Sequence, residues 1–197
     1  FDRARRRLPA GRFEHPSAAG IIVRLSDNGL EFVSISDCTL LVARSDGRVW
    51  RAGVRPTEAG DPDVRALAGG LAGDAAFSGE RRSRLLPHLR QARERMNAPD
   101  GYGVFSITGP PDVHVETGKL SVSVGDRVLV ASDGFMRLVD VFHRYDDATL
   151  PEAIFEGGAV SLVSELREIE RRDGSGQRFP RAKSSDDASV IAAVVGE

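Results

Sequence analysis

The run Arg127-Val-Leu-Val-Ala-Ser-Asp133-Gly134 constrains this chain more than any other stretch. Its apolar residues are continuous rather than alternating, which predicts a strand buried on both faces. It ends on an acid and on a glycine that permits a sharp turn. The residues that follow, FMRLVDVF, read as the beginning of a helix.

The rest of the chain supplies layers to pack around that strand. Ser17-Ala18-Ala19-Gly20-Ile21-Ile22-Val23 reads as the start of a strand, Asp27-Asn28-Gly29 is a hairpin signal, and GLEFVSIS alternates apolar and polar residues. CTLLVAR, a turn at Ser45-Asp46-Gly47 and RVWRAG continue the pattern, so a three-stranded antiparallel meander is expected. Residues 1–8 (FDRARRRL) read as a basic helix, and 57–78 as a loop region holding a short helix. A helix is predicted over 78–96. Leu85, Leu89 and Ala92 lie on one side of it, Arg81, Arg82, Arg90, Arg93 and Arg95 face water, and Pro87 kinks or divides it. Residues 101–107 read as a strand, and VHVETGKLSVSV as a hairpin closed at Gly118. Helices around 150–155 and 159–172 precede an acidic turn and a final buried strand in KSSDDASVIAAVV. These elements predict an α+β fold, an antiparallel β-sandwich flanked by helices, in one domain spanning 1–197.

Composition excludes several classes of function. A net charge of −2 gives no overall field that would gather nucleic acid or an acidic membrane. No apolar run approaches the ~20 residues of a membrane-spanning helix. Cys38, the one cysteine, cannot form an internal disulfide, and a monomeric, cytoplasmic protein is expected. The chain opens on Phe1 inside a helix-like run, so a preceding segment with the first strands of the domain is expected to be missing.

Chemistry is expected where acids sit at the ends of apolar strands. Asp133 closes one such strand, and Asp186, in Ser184-Ser185-Asp186-Asp187-Ala188-Ser189, precedes another. If the strands are neighbours the carboxylates converge, and hard divalent ions such as Mg²⁺ and Mn²⁺ take oxygen ligands of this kind. Two plainer roles stay open: Asp133 as the N-cap of its helix, and Asp186 as a turn acid satisfying backbone amides. His15, His88, His114 and His143 show no ligand spacing, Cys38 suits packing, and no glycine-rich phosphate loop is present.

Four segments, in order, resemble the type 2C family of metal-dependent serine/threonine protein phosphatases. ASDGF at 131–135 resembles the family's A-S-D-G segment. SDDASV at 185–190 resembles its closing D-N-x-T segment, with Asp187 for Asn and Ser189 for Thr. FVSISDCTLLVARSDG at 32–47 resembles the strand pair carrying G-D-S-R, and Ser17-Ala18-Ala19-Gly20 the small-residue strand before it. The resemblance implies α/β/β/α layers and two Mn²⁺ or Mg²⁺ ions activating a water for attack on phosphoserine or phosphothreonine in a protein substrate. It makes Asp133 and Asp186 metal ligands, with Asp37 in the outer shell or at an accessory ion.

The chain departs from the family pattern in three places. No early Asp-Gly segment or phosphate-contacting arginine is found before Ser17. Arg137 stands four residues after Asp133, where the family often has an acid that helps hold a third ion. The G-D-S-R segment reads Ser36-Asp37-Cys38-Thr39. These departures imply the second reading, a catalytically inactive relative that keeps the fold as a binding or regulatory module.

Overall fold

The computed structural model describes residues 16–55, 67–71, 79–106 and 114–196. The expected helix over 1–8, His15 and most of the 57–78 region lie outside them, although residues 67–70 are helical. No helix among the described residues is long and apolar enough to cross a membrane.

Among the described residues, nine strands form three antiparallel sheets. Short β1 (Ser17–Ala18) pairs with β6 (Phe105–Ser106). The second sheet has the order β2–β3–β7, from Gly20–Ser26, Gly29–Ile35 and Val115–Leu120. The third has the order β5–β4–β8–β9, from Val49–Ala52, Thr39–Ala43, Arg127–Ala131 and Val190–Val194. The expected meander is therefore cut in two. β3 does not pair with β4, because the chain crosses between sheets at Ser36-Asp37-Cys38, with Ser36 at φ +72°. Apolar content and turn signals identify each strand, but they do not assign the strands to sheets.

The two larger sheets pack face to face through Leu30 and Phe32 of β3, Leu40 and Val42 of β4 and Ala52 of β5. Trp50 stacks on Phe32 at 5.3 Å with a tilt of 58°. No hairpin closes at Gly118. This residue lies in mid-strand opposite Phe32, and a Cβ there would meet the Phe32 ring at 2.4 Å. The missing side chain is what lets β7 lie over the aromatic.

On the other face of the third sheet lie α2 (Asp133–Asp140), α3 (Thr149–Gly157) and α4 (Ala159–Arg172), after α1 (Gly79–Glu94) earlier in the chain. Leu129, Phe135, Leu138, Leu150 and Leu166 are among the buried residues of this second core. α2 is buried from Gly134 to Val139, as expected of a short helix covered on every side. Its far end is tied down by a closed ring of charges. Arg51 of β5 bonds Asp140 at 3.0 and 2.8 Å and Asp147 at 2.9 Å, and Arg55 bonds the same two acids.

Three sequence readings need correction. Pro87 does not divide α1, which runs from Gly79 to Glu94, since the carbonyl that the proline leaves unbonded belongs to exposed Ser83, where water can bond it. Arg81 does not face water: it is 1% exposed and donates to the carbonyls of Ala68 and Arg181 at 2.8 Å. The last strand is not buried either. Among the described residues β9 is a sheet edge, with Ile191 69% exposed and Val194 53% exposed.

Candidate metal centre

Sheet register brings the three predicted acids to one end of the third sheet. Thr39 of β4 pairs with Ala131 of β8, and Ala131 also pairs with Val190 of β9. Asp37 lies two residues before Thr39, Asp133 two after Ala131, and Asp186 four before Val190. All three are half-buried.

Asp133 occupies the first turn of α2, so it is not the helix cap. The cap is Ser132, whose side chain makes no capping bond and instead accepts the Ser189 amide at 3.0 Å. With the Ser132 amide on the Ser189 carbonyl at 3.0 Å, this stitches the end of β8 to the segment carrying Asp186. Gly134 makes the approach possible. A Cβ there would lie 2.0 Å from the Asp187 carbonyl oxygen, so no side chain fits.

The electrostatics of Asp133 are those of a charge placed where no side chain offsets it fully. Burial raises its pKa most, the Asp37 and Asp186 carboxylates raise it further, and the Gly134 amide and Arg137 oppose them more weakly. Cys38 is also pushed up, by burial and then by Asp37 and Asp133, so its thiol is no poised nucleophile. Tyr102, which the sequence reading overlooked, feels one of these acids: burial raises its hydroxyl pKa, Arg93 lowers it and Asp37 raises it.

Asp186 has a different environment. Lys183 donates to its Oδ1 and Oδ2, both at 2.9 Å, and Arg137 donates to Oδ2 at 3.2 Å. Arg137 is anchored by buried Glu170 at 2.9 Å, Arg167 takes the other Glu170 oxygen at 2.7 Å, and Arg167 also donates to the Asp186 carbonyl at 2.7 Å. The Lys183–Asp186 spacing of three was visible in the sequence, whereas Arg137 and Glu170 lie 33 residues apart with no local signal.

A half-buried carboxylate whose pKa is raised by two neighbouring carboxylates is a suitable donor for a hard divalent ion. Mg²⁺ is often held by only one or two carboxylates, with waters and substrate phosphate completing its shell. Asp133 and Asp186 fit that description. Among the described residues no three His, Cys, Asp or Glu side chains are grouped closely enough to hold an ion by themselves. An open cleft of about 720 Å³ lies at the other end of α2, beside Val49, Val139 and Tyr145. At 1.5 Å per residue that is roughly 10 Å along the helix from Asp133. The arginines at its wall are paired with Asp140, Asp147 or Glu165, and Asp146 accepts from the Ala148 and Thr149 amides, so the cleft adds nothing to the site.

A stability prediction follows from Asp133. Its folded-state pKa is raised above the ordinary 3.8, so its contribution to stability falls as pH rises from that value through the folded one. In chelator-treated protein, Asp133→Asn is expected to unfold at higher urea than the wild type at pH 7. The gain should shrink as pH falls through the raised folded-state value and be gone below the ordinary 3.8. A variant no more stable than wild type at pH 7 would contradict this account.

No family model matches the chain, and no curated protein matches it in sequence. Solved structures do match its fold. The photosystem II phosphatase PBCP is similar at a TM-score of 0.52 and 18% identity, over 93% of this chain and 66% of that one. The catalytic domain of the serine threonine protein phosphatase PstP, in complex with two manganese ions, matches at 0.45 and 20%, over 92% and 60%. The phosphatase MsPP from Mycobacterium smegmatis, in complex with cacodylate, matches at 0.40 and 18%, over 88% and 60%. The chain thus spans about two thirds of the length of PBCP and less of the other two. The layered sheets, the helices on the third sheet and the likeness to PBCP agree: this chain carries the fold of the type 2C serine/threonine phosphatases.

Proposed function

We propose that the protein hydrolyses phosphoserine or phosphothreonine in a protein substrate, with a divalent metal, Mn²⁺ or Mg²⁺, at the Asp133 end of the third sheet. The observation that carries this reading is the convergence on Asp133 of two further carboxylates, which raise its pKa on top of burial. Like charges held together in a partly dry site are costly, and a divalent cation relieves that cost. Asp133 and Asp186 would hold metal, Asp37 would stand behind them, and further oxygen ligands of a two-ion centre would come from outside the described residues. Bound metal would supply an activated water and neutralise charge on the phosphoryl oxygens. The chain's own part is to orient the acids through the Ser132–Ser189 stitch and the close approach at Gly134. The protein is proposed to act as a monomer in the cytoplasm.

A second reading is favoured by a different observation. Arg137, fixed by Glu170, lies against Asp186, so part of the acid's charge is already neutralised. A fold kept for binding phosphorylated partners without hydrolysis would tolerate this.

Hydrolysis of p-nitrophenyl phosphate and of a phosphothreonine peptide by the full-length natural polypeptide separates the two readings. We expect Mn²⁺-dependent turnover that falls roughly a hundredfold in Asp133→Asn, the scale of losing one transition-state electrostatic contact. Phosphopeptide binding without turnover at millimolar Mn²⁺ would favour the binding module.

A further inference from the structure

We propose that Lys183 is a built-in competitor for the metal: its ammonium occupies the cation position at Asp186, and a divalent ion binds there by expelling it. This inference rests on the metal reading above and adds to it the side chain that tunes affinity.

The two cations on Asp186 are not equivalent. Arg137 is 10% exposed in its side chain, and its guanidinium bonds Glu170 at 2.9 Å as well as Asp186 Oδ2 at 3.2 Å. Glu170 is 4% exposed and is held from its other oxygen by Arg167. Arg137 is therefore part of the frame. Lys183 is 66% exposed, belongs to no element, and reaches Asp186 from three residues before it. Its only hydrogen bonds among the described residues go to the two carboxylate oxygens, at 2.9 Å each.

An ammonium is a compact charge on a flexible stem that water rehydrates readily, whereas a guanidinium held in a fork is not easily moved. Arg137 reaches only Oδ2, so Lys183 alone covers Oδ1 from a side chain. Among the described residues Oδ1 otherwise accepts only the Asp187 amide, at 3.2 Å. A divalent ion approaching Asp186 therefore finds Oδ1 shielded by one displaceable cation, with the fixed one left behind on Oδ2. Displacement needs no backbone movement. The exchange is also self-limiting, because the tethered ammonium stays near the carboxylate and returns when ion concentration falls.

The test is Mn²⁺ binding to the full-length polypeptide by titration calorimetry, without reference to turnover. Lys183→Met and Lys183→Gln are expected to bind Mn²⁺ roughly one-and-a-half- to fivefold more tightly than wild type, the range that removal of one exposed ion pair allows. Lys183→Arg, which keeps a cation in reach, should bind no more tightly than wild type. Lys119→Met, which alters the chain's only other lysine, on β7 and paired with Glu31, controls for net charge and should leave affinity unchanged. Wild-type binding that depends on Asp133 but is the same in Lys183→Met and Lys183→Gln overturns the proposal and leaves the metal reading intact. Equal tightening in Lys119→Met overturns it in favour of a general charge effect. No Mn²⁺ binding by wild type or by either neutral Lys183 variant overturns both.

Discussion

Replacing Asp140 by alanine is expected to cost about 3–5 kcal/mol of folding stability, the usual penalty for removing one partner of a buried ion pair. Asp140 is 3% exposed and accepts from two arginines, Arg51 at 2.8 and 3.0 Å and Arg55 at 3.0 Å. Arg51 is itself 9% exposed, so loss of Asp140 leaves a nearly dry guanidinium with Asp147 as its remaining carboxylate. The exposed pairs, such as Arg48 with Asp46, set the contrast: two well-solvated, salt-screened groups contribute little. A two-state urea transition measures the difference. Asp140→Asn should fall between wild type and Asp140→Ala, because the amide keeps one acceptor but not the charge. A loss below about 1 kcal/mol in Asp140→Ala would show that water or a neighbouring group replaces the carboxylate, and would remove the ring from any account of stability.

Arg181→Ala should have an effect of similar size, reached by another route. Arg181 is the hub of the loop between α4 and β9. Its guanidinium bonds the Asp173 carboxylate at 2.6 Å and the carbonyls of Asp173, Phe179 and Ser184 at 2.9, 3.0 and 3.1 Å, and it lies 5.5 Å from the centre of the Phe142 ring. Asp173 is 8% exposed and also receives the Arg178 and Phe179 amides, both at 3.1 Å. Truncation would strand a buried carboxylate and several carbonyls, for an expected loss of about 3–5 kcal/mol. Lysine is not a substitute, since a single ammonium cannot reproduce the fork, so Arg181→Lys should recover only part of the loss. Because the loop leads directly to Lys183 and Asp186, Arg181→Ala should also weaken Mn²⁺ binding under conditions where the variant remains folded. Undiminished stability in urea would mean that the loop holds its shape without this residue.

How far the sequence reveals this molecule depends on how local each cause is. Asp133-Gly134 after RVLVA marks a strand end, a tight approach and a helix start within eight residues, and the structure has all three there. α4 is legible for the same reason, its apolar period being complete from Ala159 to Arg172. The burial of β9 was not legible: VIAAV has the composition of an interior strand, but burial depends on what lies beside it. The switch of sheets at Ser36-Asp37-Cys38 is hidden because alternation carries no sheet address. At the centre, the strand ends located the acids, whereas the cations on Asp186 come from α2 and a loop nearly fifty residues later. Arg137 was visible as a departure from the family's pattern, but its bond to Glu170 was not, because only the folded chain brings α2 and α4 together.

α2 carries Asp133 at its first residue and Asp140 at its last, and every residue from Gly134 to Val139 is buried. Helix ends ordinarily fray, opening and closing independently of the rest of a protein. Here the N-terminal turn is closed against the Asp187 carbonyl and the C-terminal turn is locked into the charge ring, so neither end is free to open alone. The acid at the site therefore sits on a helix anchored at both ends, and amide exchange in α2 is expected to be as slow as in the surrounding core.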